Sequence, residues 1–115
     1  MENWKQYREE IAARVREMRV ANPDIVKAYA ELHHANAKST QLDAKTRELI
    51  ALAVAVTLRC DGCINAHSEA AVKAGATKEE VTAALGVAIM VNAGAAMVYS
   101  ARTIDAFDTY KPQTA

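Results

Sequence analysis

Trp4, Tyr7, Ile11, Val15 and Met18 recur every three or four residues, with mostly charged positions between them. That period places the five apolar side chains on one stripe and predicts an amphipathic helix. Asn22-Pro23 then punctuates the chain, because asparagine is a good helix cap and proline suits the first helical position. The second helix predicted there carries Ile25, Tyr29, Leu32 and Asn36 on its stripe and stops at the polar run Lys38-Ser39-Thr40-Gln41. Asp43 is the next cap. From it to Leu58 the chain is apolar, and residues 50–56 leave hardly any face for solvent, so this helix is expected to be central.

A break around Cys60 to Gly62 precedes a fourth helix with Ile64, His67, Ala71 and Ala74 on one stripe. Gly75 is its natural left-handed stop. Thr77-Lys78-Glu79-Glu80 reads as a capping box that opens a fifth helix. That helix is expected to run through residues 83–99 with a bend near Gly94, and Val98, Ile104 and Phe107 predict a final helix before a frayed tail holding Pro112. Residues 83–99 contain one clearly polar side chain, Asn92. The stretch is short and weakly hydrophobic for a membrane span, so a helix surrounded by protein is the expectation. No strand alternation and no internal repeat is visible. The fold class expected is all-α, a single domain of about six helices over residues 1–115.

Composition sharpens this picture. The 115 residues are 51% hydrophobic but only 5% aromatic, so the core must be built from alanine, valine, leucine and isoleucine. Small side chains bury little area each, and at about 25 cal/mol per Å² a lone chain of this size is marginal. Homo-oligomerisation through small-residue helices would relieve that. Fourteen basic and fourteen acidic side chains cancel, which gives no field to attract nucleic acid or an anionic membrane. The charged N-terminal run has no apolar signal core, so a cytoplasmic protein is expected.

The chemistry concentrates at Cys60-Asp61-Gly62-Cys63, where two intervening residues let the sulfurs meet across one turn at a helix start. A helix N-terminus favours the thiolate that redox chemistry requires, and Arg59 adds a neighbouring cation. Asp61 opposes it unless its carboxylate caps the helix. His67, four residues after Cys63, lies on the same helix face and can exchange a proton with the thiol. A core histidine is the alternative. Zinc competes for the same residues, with Cys60, Cys63 and His67 as three ligands and His33, His34 or Glu48 as a possible fourth. Two inert core cysteines are a third reading, which a polar helix start disfavours. A permanent structural disulfide is not expected in a protein without an export signal.

The run Glu48-x11-Cys60-x2-Cys63-x3-His67, within Arg47-Glu-Leu-Ile-Ala-Leu-Ala53 and Cys63-Ile-Asn-Ala-His-Ser-Glu69, resembles the alkylhydroperoxidase D-like branch of the carboxymuconolactone decarboxylase family. The similarity spans roughly residues 42–107. It implies a helical domain associating into trimers or hexamers, with Cys60 and Cys63 as a reversible dithiol and Glu48 and His67 as its proton relay. It further implies reduction of organic hydroperoxides or relay of electrons, a thiol donor such as a lipoyl-protein, and no metal or flavin cofactor. Lactone decarboxylation is the family's other activity, and a non-catalytic or zinc-stabilised helical assembly is the alternative outside it. Several members carry a histidine just before the second cysteine, where this chain has Gly62.

Two geometric expectations accompany the resemblance. Twelve helical residues place Glu48 about 18 Å from Cys60 along the axis, so a relay needs a kink, a steep crossing or another subunit. Otherwise Glu48 is a helix-start carboxylate or half of an ion pair. Cys60, outside the helix, is expected to be the more accessible sulfur for a protein partner. His33 and His34 point about 100° apart and read as surface residues. Gly86 and Gly94 suit close helix packing, within or between subunits.

Overall fold

The structure, a computed structural model, describes residues 1–113. Among these residues five helices follow one another, α1 (Trp4–Ala21), α2 (Pro23–Ala37), α3 (Ala44–Leu58), α4 (Asp61–Lys73) and α5 (Lys78–Tyr110). The described residues contain no strand.

The boundaries follow local chemistry. Asn3 caps α1 by accepting the Gln6 N–H at 3.1 Å, and Asp43 caps α3 by accepting that of Thr46 at 2.7 Å. Asn22 stands at the start of α2 with Pro23 behind it, but its side chain makes no cap bond. Its backbone N–H closes α1 instead, on the Met18 carbonyl. The capping box forms as expected, with Thr77 accepting the Glu80 N–H at 3.1 Å and Glu80 accepting that of Thr77 at 3.0 Å. Gly75 adopts φ 84°, the left-handed stop that its position after α4 required.

The expected sixth helix is part of α5, which is 33 residues long and continues unbroken past Gly94. A glycine inside a helix costs about 1 kcal/mol relative to alanine, too little to end one that is well formed on both sides. A Cβ built on Gly86 or Gly94 would meet nothing within 4 Å, so neither glycine serves close packing inside this chain.

The helices do not close around a common core. α3 is central as expected, packing on α4 and α5, while α1 packs on α2 and α4. Among the helices, α2 touches only α1 and α5 touches only α3. The outward face of α3 is not covered, and Ile50, Val54 and Leu58 are exposed. The buried hydrophobic residues are Leu52, Ala55, Ala71 and Ala88. A compact chain of this length has a radius of gyration of roughly 13 Å. This one has 19.9 Å and extends over 66 × 39 × 33 Å.

α5 is long and apolar enough to cross a membrane by length and composition. The expectation that protein surrounds it fails within one chain, where almost none of its apolar stretch is buried. Asn92, the lone polar residue there, bridges α5 to α3. Its Nδ2 donates to Thr57 Oγ1 at 2.8 Å and to its own helix at the Ala88 carbonyl at 2.7 Å. A second polar tie joins the helix starts, where Lys45 and Glu80 pair at 2.9 Å.

Candidate functional site

α3 ends at Arg59, which takes the left-handed conformation at φ 55° and turns the chain sharply into α4. The turn is fixed by the Cys60 N–H donating to the Ala55 carbonyl at 3.0 Å. Cys60 is the N-cap of α4, and its Sγ accepts the Cys63 N–H at 3.1 Å. A sulfur therefore occupies the capping position proposed for the Asp61 carboxylate, and Asp61 is an exposed residue of the first turn. Cys60 and Cys63 are joined by a disulfide with their Cα atoms 5.2 Å apart. Both are half-buried, so accessibility does not single out Cys60.

Cys63 opens into a cavity of about 340 Å³ between α3, α4 and the end of α2. His67, one turn beyond, lines the same cavity. Its Nδ1 lies 2.6 Å from Glu48 Oε2, and both side chains are more than two-thirds buried, at 31% and 22% exposure. Glu48 thus meets His67 and makes no hydrogen bond to either cysteine. α4 folds back along α3 and carries His67 to Glu48 within one chain, so this contact needs no second subunit. A carboxylate on Nδ1 holds the proton on that nitrogen and leaves Nε2 as the basic one.

The remaining lining comes from one stripe of α3, comprising Arg47, Ile50, Ala51, Val54, Ala55 and Leu58, with Leu42, Asn36 and Ser39 closing the end towards α2. Arg47, Asn36 and Ser39 were not recognised as site residues from sequence. Asn36 was visible as a polar interruption of an apolar stripe, whereas Ser39 gave no signal.

Gly62 faces another way. Together with Asn65 and Ala66 it lies against α1 in a second cavity with Tyr7 and Ile11. A Cβ at Gly62 would sit 3.9 Å from the Tyr7 hydroxyl, an ordinary contact, so a side chain there would start out against α1. Asn65 Nδ2 donates to the Trp4 carbonyl at 2.6 Å, and Glu69 pairs with Arg8 and with Lys73. The Lys73 hydrogen bond, then burial working against it and the Arg8 charge, leave the Glu69 carboxyl below its ordinary range.

The zinc ligand set does not assemble. The two sulfurs are bonded to each other, and no group of three or more His, Cys, Asp or Glu among the described residues could hold a metal ion. His33 and His34 lie exposed on α2, their rings edge to face at 6.5 Å.

A Haemophilus influenzae protein of uncharacterised function is 50% identical over 109 residues, covering 95% of this chain and 96% of its own. A solved structure of a carboxymuconolactone decarboxylase family protein from Legionella pneumophila superposes with a TM-score of 0.74 at 33% identity, over 97% of this chain and all of the other. A Methanobacterium thermoautotrophicum protein structure gives 0.67 at 30% identity, covering 72% of this chain and 93% of its own. The family model for carboxymuconolactone decarboxylases matches residues 23–106, extending the similarity back through α2. With the fold shared along its whole length and the family model spanning α2 to α5, the chain belongs to the carboxymuconolactone decarboxylase family.

Proposed function

We propose that the protein is a thiol-dependent oxidoreductase of the alkylhydroperoxidase D type, reducing organic hydroperoxides through the Cys60/Cys63 pair. The observation that carries this reading is the shared cavity of Cys63 and His67, with Glu48 fixing the imidazole from behind. In the reduced protein His67 Nε2 takes the Cys63 thiol proton. The thiolate attacks the terminal peroxide oxygen, so an S–O bond forms and the O–O bond breaks. The departing alkoxide recovers the proton from His67 and leaves as an alcohol. Cys60 then attacks the Cys63 sulfenic acid, the S–S bond forms, and hydroxide leaves with the Cys60 proton as water. Two electrons have passed from the thiols to the peroxide. A dithiol donor, a lipoyl-protein being the type the family suggests, returns them by thiol–disulfide exchange in the cytoplasm.

Assembly belongs to the same proposal. The unpartnered apolar faces of α2 and α5 suit further copies of this chain, in a trimer or hexamer built through small-residue helices. No metal or organic cofactor enters the cycle.

The test is thiol-dependent consumption of cumene hydroperoxide by the wild type, Cys60→Ser and Cys63→Ser. Loss of turnover in both variants is expected, and an undiminished rate in both overturns the reading. The Cys60→Ser/Cys63→Ser double variant should also lack lactone decarboxylation, since persistence of that activity would assign the cavity to lyase chemistry.

A further inference from the structure

The redox cavity holds one feature that peroxide chemistry does not use. Its walls are apolar apart from Cys63, His67, the neutral Asn36 and Ser39, and a single permanent cation, Arg47. Arg47 forms no salt bridge among the described residues, although acidic neighbours lie close in sequence. Asp43 caps α3 and acts on Arg47 only as the weakest of the influences on its own carboxyl, and Glu48 holds His67. Among the described residues only one guanidinium nitrogen is occupied: Nη1 donates to the Ser39 carbonyl at 2.7 Å and approaches that of Leu42 at 3.5 Å. Those contacts fix the group in place, half-buried, while Nε and Nη2 keep free N–H donors. No carboxylate lines the cavity to neutralise it.

We infer that Arg47 is the anion anchor of this cavity and that it selects organic substrates bearing a carboxylate at one end and an apolar body beyond. This deepens the function proposed above and rests on it for the chemical step, whose atoms and electrons are unchanged. A fixed guanidinium binds a carboxylate through two parallel charge-assisted bonds. The distance sets the size of the ligand. Ala55 marks the disulfide end, because its carbonyl accepts the Cys60 N–H. Arg47 lies eight residues before it, about 12 Å along the helix axis. Ile50, Ala51 and Val54 pave the interval. The ligand is therefore an aliphatic acid whose carboxylate rests at Arg47 and whose reactive group reaches Cys63, in the manner of a fatty-acid hydroperoxide.

The test does not depend on turnover. In the reduced protein, octanoate and octanamide are compared as protectants of Cys63 against iodoacetamide, with the site of alkylation read by mass spectrometry. Octanoate should protect at roughly tenfold lower concentration than the isosteric amide, and Arg47→Gln should abolish the difference. Equal protection by the two compounds in the wild type, or an undiminished preference in Arg47→Gln, overturns the inference. The wild-type comparison decides the matter even if Arg47→Gln loses the helical content of the parent. In turnover, kcat/KM for linoleic acid hydroperoxide should exceed that for its methyl ester, and Arg47→Gln should remove roughly tenfold to a hundredfold of that preference. If neither hydroperoxide is consumed while the octanoate preference holds, the anion site stands and the peroxidase reading falls.

Discussion

Glu48 and His67 stand 19 residues apart in the chain and 2.6 Å apart in space, joined through Oε2 and Nδ1. That contact converts a helix-start carboxylate and a lone helical histidine into one unit. The carboxylate orients the ring and fixes which nitrogen carries the proton, which in the proposed cycle leaves the other nitrogen for the thiol of Cys63 one turn away.

His67→Gln should therefore slow peroxide-driven oxidation of the reduced pair by roughly a hundredfold, the usual scale of a positioned acid–base group. Glu48→Gln should cost less, since the imidazole remains. The double variant should be no slower than His67→Gln alone, because Glu48 acts through the ring. Rapid mixing with hydroperoxide at neutral pH, with free thiols counted over time, measures all three. Additive losses would show that Glu48 works by another route.

A different carboxylate contributes to acid sensitivity. The Lys45 ammonium, followed by the Thr77 amide, holds the Glu80 carboxyl below its ordinary range, and Glu80 in turn raises the Lys45 ammonium. A carboxyl whose folded value is lowered contributes stability at neutral pH and loses it as pH falls through that value. Glu80→Gln keeps the cap shape but not the charge. Its melting temperature should lie below that of the wild type at neutral pH, and the gap should close in acid below the usual glutamate range. A gap that stayed constant across that range would mean the pair contributes nothing through charge.

Leu52 is 3% exposed and is the largest of the four buried hydrophobic residues. It sits on α3, the helix that α4 and α5 both contact. Leu52→Ala should cost about 2–5 kcal/mol. Urea unfolding at a fixed protein concentration measures it, and a loss much smaller than this would mean that the site collapses around the missing side chain.

Val98 is 75% exposed on α5, and Met97 beside it is 76% exposed. On a free surface Val98→Glu would change stability by less than about 0.5 kcal/mol. If other copies cover α5, the buried carboxylate should dissociate the assembly. Sedimentation should show a trimer or hexamer for the wild type and a smaller species for Val98→Glu. A monomeric wild type at micromolar concentration would refute the assembly.

Much of this architecture was legible in the chain because it depends on local chemistry. Asp43, the Thr77/Glu80 box and Gly75 each act within one helical turn, and each stands where periodicity placed it. What escaped required knowledge of neighbours. Asn22 looks like a cap, yet its side chain makes no cap bond and its backbone N–H closes α1 instead. Gly94 looks like a bend, yet nothing presses on α5 there to make one. Glu48 was seen to be too far from Cys60, but its real partner became visible only when α4 folded back along α3. Arg47 passed unnoticed because an arginine in a first turn has no distinguishing period. Its significance comes from the apolar company that the fold gives it.

The sulfur that caps α4 has one more consequence. In the oxidised protein Cys60 Sγ serves both as a bridge atom and as the acceptor for the first turn of a helix. Reduction adds two electrons and two protons and leaves the acceptor in place, where the partial positive charge at the N-terminus of α4 favours an electron-rich sulfur. The helix therefore favours the electron-loaded form of the pair. A disulfide whose product is stabilised in this way is easy to reduce again, as the proposed cycle requires.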